Sequence, residues 1–201
     1  MSSLKLVLAM LVLYLALPLV FLGIGSHATR FIIPSLIVVS AWCIGSLPRE
    51  SRVVLWDLRP LKKSATRILA RFVVGALALT AATYVLLPQR FLALPRHHAR
   101  LWLLICLLYP LFSVYPQEVI YRAFFFEHSA QVLPGMKAPW LLALNVALFG
   151  FAHIVFGNVW ALILSAAGGL LFANTYLKTR SVLCATFEHA LWGDLIFTIG
   201  L

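Results

Sequence analysis

Carboxylates are the scarcest charged groups in this chain: six Asp+Glu stand against sixteen Lys+Arg in 201 residues. Charged residues make up 11% of it and hydrophobic ones 63%, where a soluble domain carries roughly 25% and 45–50%. An ordinary soluble globule and a disordered chain are both excluded. The three cysteines, Cys43, Cys106 and Cys184, lie in different apolar runs and form no CxxC pair. That excludes a disulfide framework or thiol redox motif and leaves them as core thiols. There is no GxxxxGK[ST], no dinucleotide-type glycine fingerprint, no HExxH and no internal repeat. The excess of bases is strung along short segments between apolar runs and forms no aromatic-interleaved patch, so a nucleic-acid partner is not expected.

What is present is a succession of apolar runs, each near the 20 residues that a membrane crossing needs. They read as spans at 4–24, 31–47, 68–87, 101–126, 139–156, 159–177 and 182–201. The first is too long for a signal-peptide core and has no clean cleavage site, so it is expected to stay. The fold class expected is all-α, a polytopic transmembrane helical bundle of about seven spans, within a range of six to eight. Two parts are expected: residues 1–99, with spans one to three and a basic cytoplasmic loop at 48–67, and residues 100–201, a core of spans four to seven. Placing the N-terminus in the cytoplasm puts ten loop bases inside and four outside, the favoured orientation. The expected location is a multi-pass position in a bacterial cytoplasmic membrane, with the lipid bilayer itself as a partner.

Scarcity makes each acid informative. Glu50 and Asp57 lie in the basic segment; Glu118, Glu127, Glu188 and Asp194 lie in or beside apolar runs, where an ionised carboxylate is costly. Glu118 and Arg122 are four apart and share a helical face, a self-compensating pair downstream of Pro116, which can kink the helix. The pair is either a clip between helices or a base kept in a dry cavity. His153 lies deep in span five, on a stripe with Phe149 and Asn145. His189 lies in span seven; its neighbour Glu188 faces elsewhere and reads as an interfacial or lumen-facing group near the helix start, and Asp194 is about 140° round the helix. One Glu and two His on three separate spans suit either water activation for hydrolysis or a metal site, with Glu118, His153 and His189 holding zinc.

These residues resemble the CAAX prenyl protease and bacteriocin-processing family of intramembrane proteases, whose motifs are EExxxR, FxxxH and HxxxN or HxxxD on separate helices. QEVIYR at 117–122 matches the first except at its first position, FGFAH at 149–153 matches the second in full, and HALWGD at 189–194 matches the third in part. GGLLFANTYLKTRS at 168–181 resembles the connecting segment. The resemblance covers roughly residues 100–200. It implies an intramembrane endopeptidase that acts on a membrane-anchored peptide or protein, with His153 activating water, His189 stabilising the oxyanion and Arg122 orienting the carboxylate. The usual catalytic Glu is Gln117 here, so Glu118 is expected to serve as base. The residue four after His189 is Gly193, so Asp194, or Asn145 or Asn158 from another span, is expected to supply the missing polar group. No cofactor is required on this reading, with zinc as the alternative. The alternative function is a catalytically degenerate member acting in binding, immunity or regulation.

Overall fold

An apolar chain in a bilayer has no water to satisfy its backbone, so each crossing must close its own hydrogen bonds as a helix. The computed structural model describes residues 3–201, the Ser26 side chain excepted, and its regular elements are all helical. Among the described residues seven helices are long and apolar enough to cross a membrane: Ser3–Ile24, Thr29–Ser46, Arg59–Leu86, Ala99–Val132, Ala138–Phe156, Val159–Thr179 and Val182–Ile199. They are called spans one to seven below. Many large apolar side chains face outward, Val74, Leu86, Leu111 and Trp140 among them, as lipid-facing positions should.

Two expectations change. The basic segment is not one loop: a short 3-10 turn covers Glu50–Leu55, and span three starts at Arg59. Pro60 stands in its first turn, where proline needs no partner for its missing N–H. Lys62, Lys63 and Arg67 follow as good helix formers. Span four is also longer than read, continuing to Val132. The 88–100 segment carries a short helix, Ala93–His97, entered through Leu92 in the left-handed region (φ 56°).

Consecutive spans run antiparallel, and side chains tie each end of the bundle. At one end Ser51 donates to Glu127 (2.7 Å) and Ser181 to the Asp57 carbonyl (3.3 Å). At the other, the Trp102 indole donates to Thr198 (2.9 Å). Spans five and six pack closely where glycine leaves room: a Cβ on Gly150 would stand 3.1 Å from the Ala166 Cβ, and one on Gly169 2.9 Å from the Phe149 ring.

Span four is irregular. Wide π-type turns cover Pro110–Val114 and Val119–Phe124, on either side of the short α turn Tyr115–Glu118. Such turns occur as interruptions in α-helices, frequently at functional sites. Carbonyls of the second wide turn accept side-chain donors from two other spans: the Tyr14 hydroxyl reaches Ile120 O (2.7 Å) and the Asn145 amide reaches Tyr121 O (2.6 Å).

Candidate active site

Glu118 is fully buried and both of its oxygens are engaged. Arg122 Nε donates to Oε2 (3.1 Å), and His189 Nδ1 donates to Oε1 (2.8 Å). The Arg122 guanidinium, also fully buried, donates to Asn145 Oδ1 and lies 4.8 Å from the centre of the Phe149 ring. Asn145 is held in turn by its amide bond to Tyr121 O. The result is a rigid group drawn from spans four, five and seven. A buried charge is tolerable only with its counter-charge and its remaining hydrogen bonds in place.

The Glu118–Arg122 pairing is therefore assembled as the helical spacing expected, and Asn145 joins it. Phe149 is its aromatic hub. It lies T-shaped to Tyr121 (5.2 Å), Phe172 (6.2 Å) and His189 (5.6 Å), and tilted to His153 (4.9 Å). Span six can bring Phe172 to this centre because Gly169 leaves room for the Phe149 ring. The Phe172 ring stacks on His189 at 4.4 Å and 13°.

His153 stands apart from that group. It ends the α-helical part of span five and opens a 3-10 turn, His153–Phe156, that closes through Gly157 in the left-handed region. Its Nδ1 lies 2.9 Å from the Phe149 carbonyl. A carbonyl can only accept, so Nδ1 carries the proton and Nε2 of the neutral ring keeps its lone pair.

His153 lines a cavity of about 110 Å³ between spans one, two, four and five. The other polar groups on its wall include Gln117, Ser113 and Ser35, and the rest is mostly apolar, with Leu17, Phe21 and Val39. Gln117 Nε2 donates to Ser113 Oγ (2.9 Å), which leaves its amide oxygen free to accept. Glu118 does not line this cavity, because adjacent helical positions point about 100° apart.

Glu118, His153 and His189 are not gathered into one ligand set: Glu118 is bonded to Arg122 and to His189 Nδ1, and the His153 Nδ1 faces a carbonyl. Among the described residues no group of three or more His, Cys, Asp or Glu is arranged to hold a metal ion.

The third-motif region also departs from expectation. Asp194 makes no side-chain hydrogen bond to His189, and its Oδ1 is buried without a partner among the described residues. Asn158 instead caps span six, accepting from Trp160 N (2.9 Å). Glu188, expected to be interfacial or lumen-facing, is fully buried: Arg71 of span three donates to it, and Thr175 of span six donates at 2.5 Å. Arg71 was legible by the argument that singled out Glu118, a charge inside an apolar run. Tyr14 and Phe172 carried no signal, since an aromatic residue in an apolar run is ordinary.

Residues 99–193 match the family model described as type II CAAX prenyl endopeptidase Rce1-like. This is the stretch that carries the three motifs. No curated protein and no solved structure matches the chain.

Proposed function

From the match of residues 99–193 to the Rce1-like prenyl endopeptidases, we propose that this integral membrane protein is an intramembrane endopeptidase. Its substrate is a membrane-anchored peptide or protein, cut at a peptide bond brought into the cavity beside His153. The observation that carries this reading is the contact of His153 Nδ1 with the Phe149 carbonyl (2.9 Å), which assigns the tautomer. The Phe149 carbonyl holds Nδ1–H, and the opposite nitrogen is a base on a ring that lines the cavity.

In the proposed reaction His153 Nε2 takes a proton from a water in the cavity as its oxygen adds to the scissile carbonyl. The free oxygen of Gln117 accepts the water's second hydrogen and aims it. The tetrahedral intermediate collapses, and His153 returns the proton to the departing amine. The role expected for Glu118 passes to His153. The buried Glu118–Arg122–His189 group supplies a fixed field from behind the cavity wall rather than the base. None of these steps is assigned to a metal.

With the N-terminus in the cytoplasm, the cavity lies in the half of the membrane away from the basic segment. It is walled by the second half of span one, the first half of span two and the last turn of span five. The scissile bond then enters from that side, and the apolar wall takes the substrate's hydrocarbon or apolar residues.

The test is release of a C-terminal fragment from a vesicle-anchored peptide with a prenylated CAAX end, followed by mass spectrometry on the purified protein in proteoliposomes. Wild type should cleave. His153→Ala should lose a factor of roughly 100–10,000, and Gln117→Glu should raise the rate by placing a carboxylate on the cavity wall. Unchanged cleavage by His153→Ala overturns the reading. One observation favours a second reading: Gln117 is a neutral side chain where the motif has a carboxylate. On that reading the cavity binds an apolar peptide without cutting it, and both wild type and Gln117→Glu bind saturably and release nothing.

A further inference from the structure

His189 has one ring nitrogen on Glu118; the other faces a residue that no motif contains. Nε2 lies 3.3 Å from the hydroxyl of Tyr109, the last residue of the first α-helical stretch of span four. The two rings are T-shaped, 84° apart with centroids at 6.2 Å. Tyr109 is itself braced T-shaped against Phe197, 5.0 Å away. Every other ring contact of His189 is aromatic: Phe172 on its face and Phe149 at its edge. With Nδ1–H given to the carboxylate, Nε2 of the neutral ring presents a lone pair, and the Tyr109 O–H is the donor placed to meet it.

Position 193 is bound up with this contact. It lies four residues after His189, so a side chain there shares the face of the imidazole. A Cβ on Gly193 would fall on the Tyr109 ring, 2.6 Å from its hydroxyl oxygen and 2.8 Å from Cζ. Real Cβ atoms do not approach that closely, and the braced ring cannot yield. The tyrosine at 109 and a side chain at 193 therefore compete for one space beside Nε2. The partner of His189 comes from span four because its own helix carries no side chain there.

We propose that Tyr109 is a positioning residue that caps His189 Nε2, completing a chain from Tyr109 through His189 to Glu118, and that Gly193 exists to admit it. The inference deepens the peptidase reading, on which His189 belongs to the buried group behind the cavity, but its first test needs no turnover.

The experiment is ¹⁵N NMR of histidine-labelled protein in nanodiscs, with His189 assigned by its loss in His189→Gln. Tyr109→Phe keeps the ring and removes only the hydroxyl; the Nε2 resonance should move from the hydrogen-bonded acceptor position to that of a free lone pair. Gly193→Asn should be destabilised alone and recovered by Tyr109→Ala, with the amide of the double variant restoring the Nε2 signal. If cleavage is present, Tyr109→Phe should lower kcat about tenfold, the worth of one buried hydrogen bond, with KM unchanged. An unmoved Nε2 resonance in Tyr109→Phe overturns the proposal, as does additivity of Gly193→Asn and Tyr109→Ala. If the coupling holds and no substrate is cleaved, the Tyr109 assignment stands and the peptidase reading fails.

Discussion

At the scale of single residues, the central question is what Glu118 does. Buried charge was legible in the sequence because Glu118 and Arg122 stand four apart in an apolar run. Which neighbours they meet was not, because Asn145, His189 and Phe149 arrive from other spans. On the proposed reading, a carboxylate that is buried, doubly bonded and off the cavity wall is a structural counter-charge. Glu118→Ala should then cost about 3–5 kcal/mol by stranding the Arg122 guanidinium. Glu118→Gln should lower the unfolding midpoint in detergent together with activity. A Glu118→Gln protein that keeps its midpoint and loses only turnover would assign Glu118 the base role first expected of it. His153→Ala, which removes a half-buried group at a helix end, should lose activity with much less loss of stability.

At the scale of elements, the span boundaries depend on local chemistry that hydropathy alone reads coarsely. Span three starts in the basic segment because Pro60 and the lysines that follow suit a first helical turn. Asp57 prepares that turn. Its Oδ1 accepts the Arg59 backbone N–H (2.9 Å), and its two oxygens receive the Arg59 guanidinium (2.9 and 3.0 Å). The side-chain hydrogen bond from Arg59 is the largest cause that lowers the Asp57 carboxyl from its ordinary value of 3.8. A lowered folded value means the contribution is complete above the ordinary carboxylate range and is lost as pH falls through and below it. The midpoint difference between wild type and Asp57→Asn should therefore be constant near neutral pH and shrink toward zero in acid. A difference that grows in acid would contradict the assignment. The wide turns of span four could be foreseen only as distortion near its prolines, since the partners of their carbonyls, Tyr14 and Asn145, lie far away in sequence.

At the scale of the whole molecule, the first three spans carry no motif, yet the structure gives them two functions. Spans one and two supply half of the cavity wall. Span three holds span seven through Arg71 and Glu188, with Thr175 of span six bonded to both. Glu188 is fully buried and Arg71 is partly exposed, so the carboxylate is the member that cannot stand alone. Arg71→Met should destabilise the bundle by about 3 kcal/mol. Adding Glu188→Gln should recover most of it, because a neutral amide does not strand a charge there. The check is a double-mutant cycle of unfolding midpoints; two additive losses would show that the residues do not act as a pair.

The sequence by itself determined the solvent and the class. With so few charges and seven apolar runs, only a helical membrane bundle can satisfy the backbone, and the motifs at 117–122, 149–153 and 189–194 mark where its polar centre lies. Periodicity also determined the Glu118–Arg122 pair, since helical geometry alone brings such neighbours together. The tertiary structure decided which polar groups reach the cavity and which are locked behind it. It placed Gln117 with His153 on the wall, Glu118 with His189 in the interior, Tyr109 where a side chain at 193 would stand, and Arg71 against Glu188. Those outcomes depend on how helices far apart in sequence rotate and approach, and on where a missing Cβ or a wide turn leaves room. The scarce acids of this chain thus divide by packing: Glu118 and Glu188 are buried carboxylates, each in an ion pair with an arginine, and the base of the proposed reaction is a histidine.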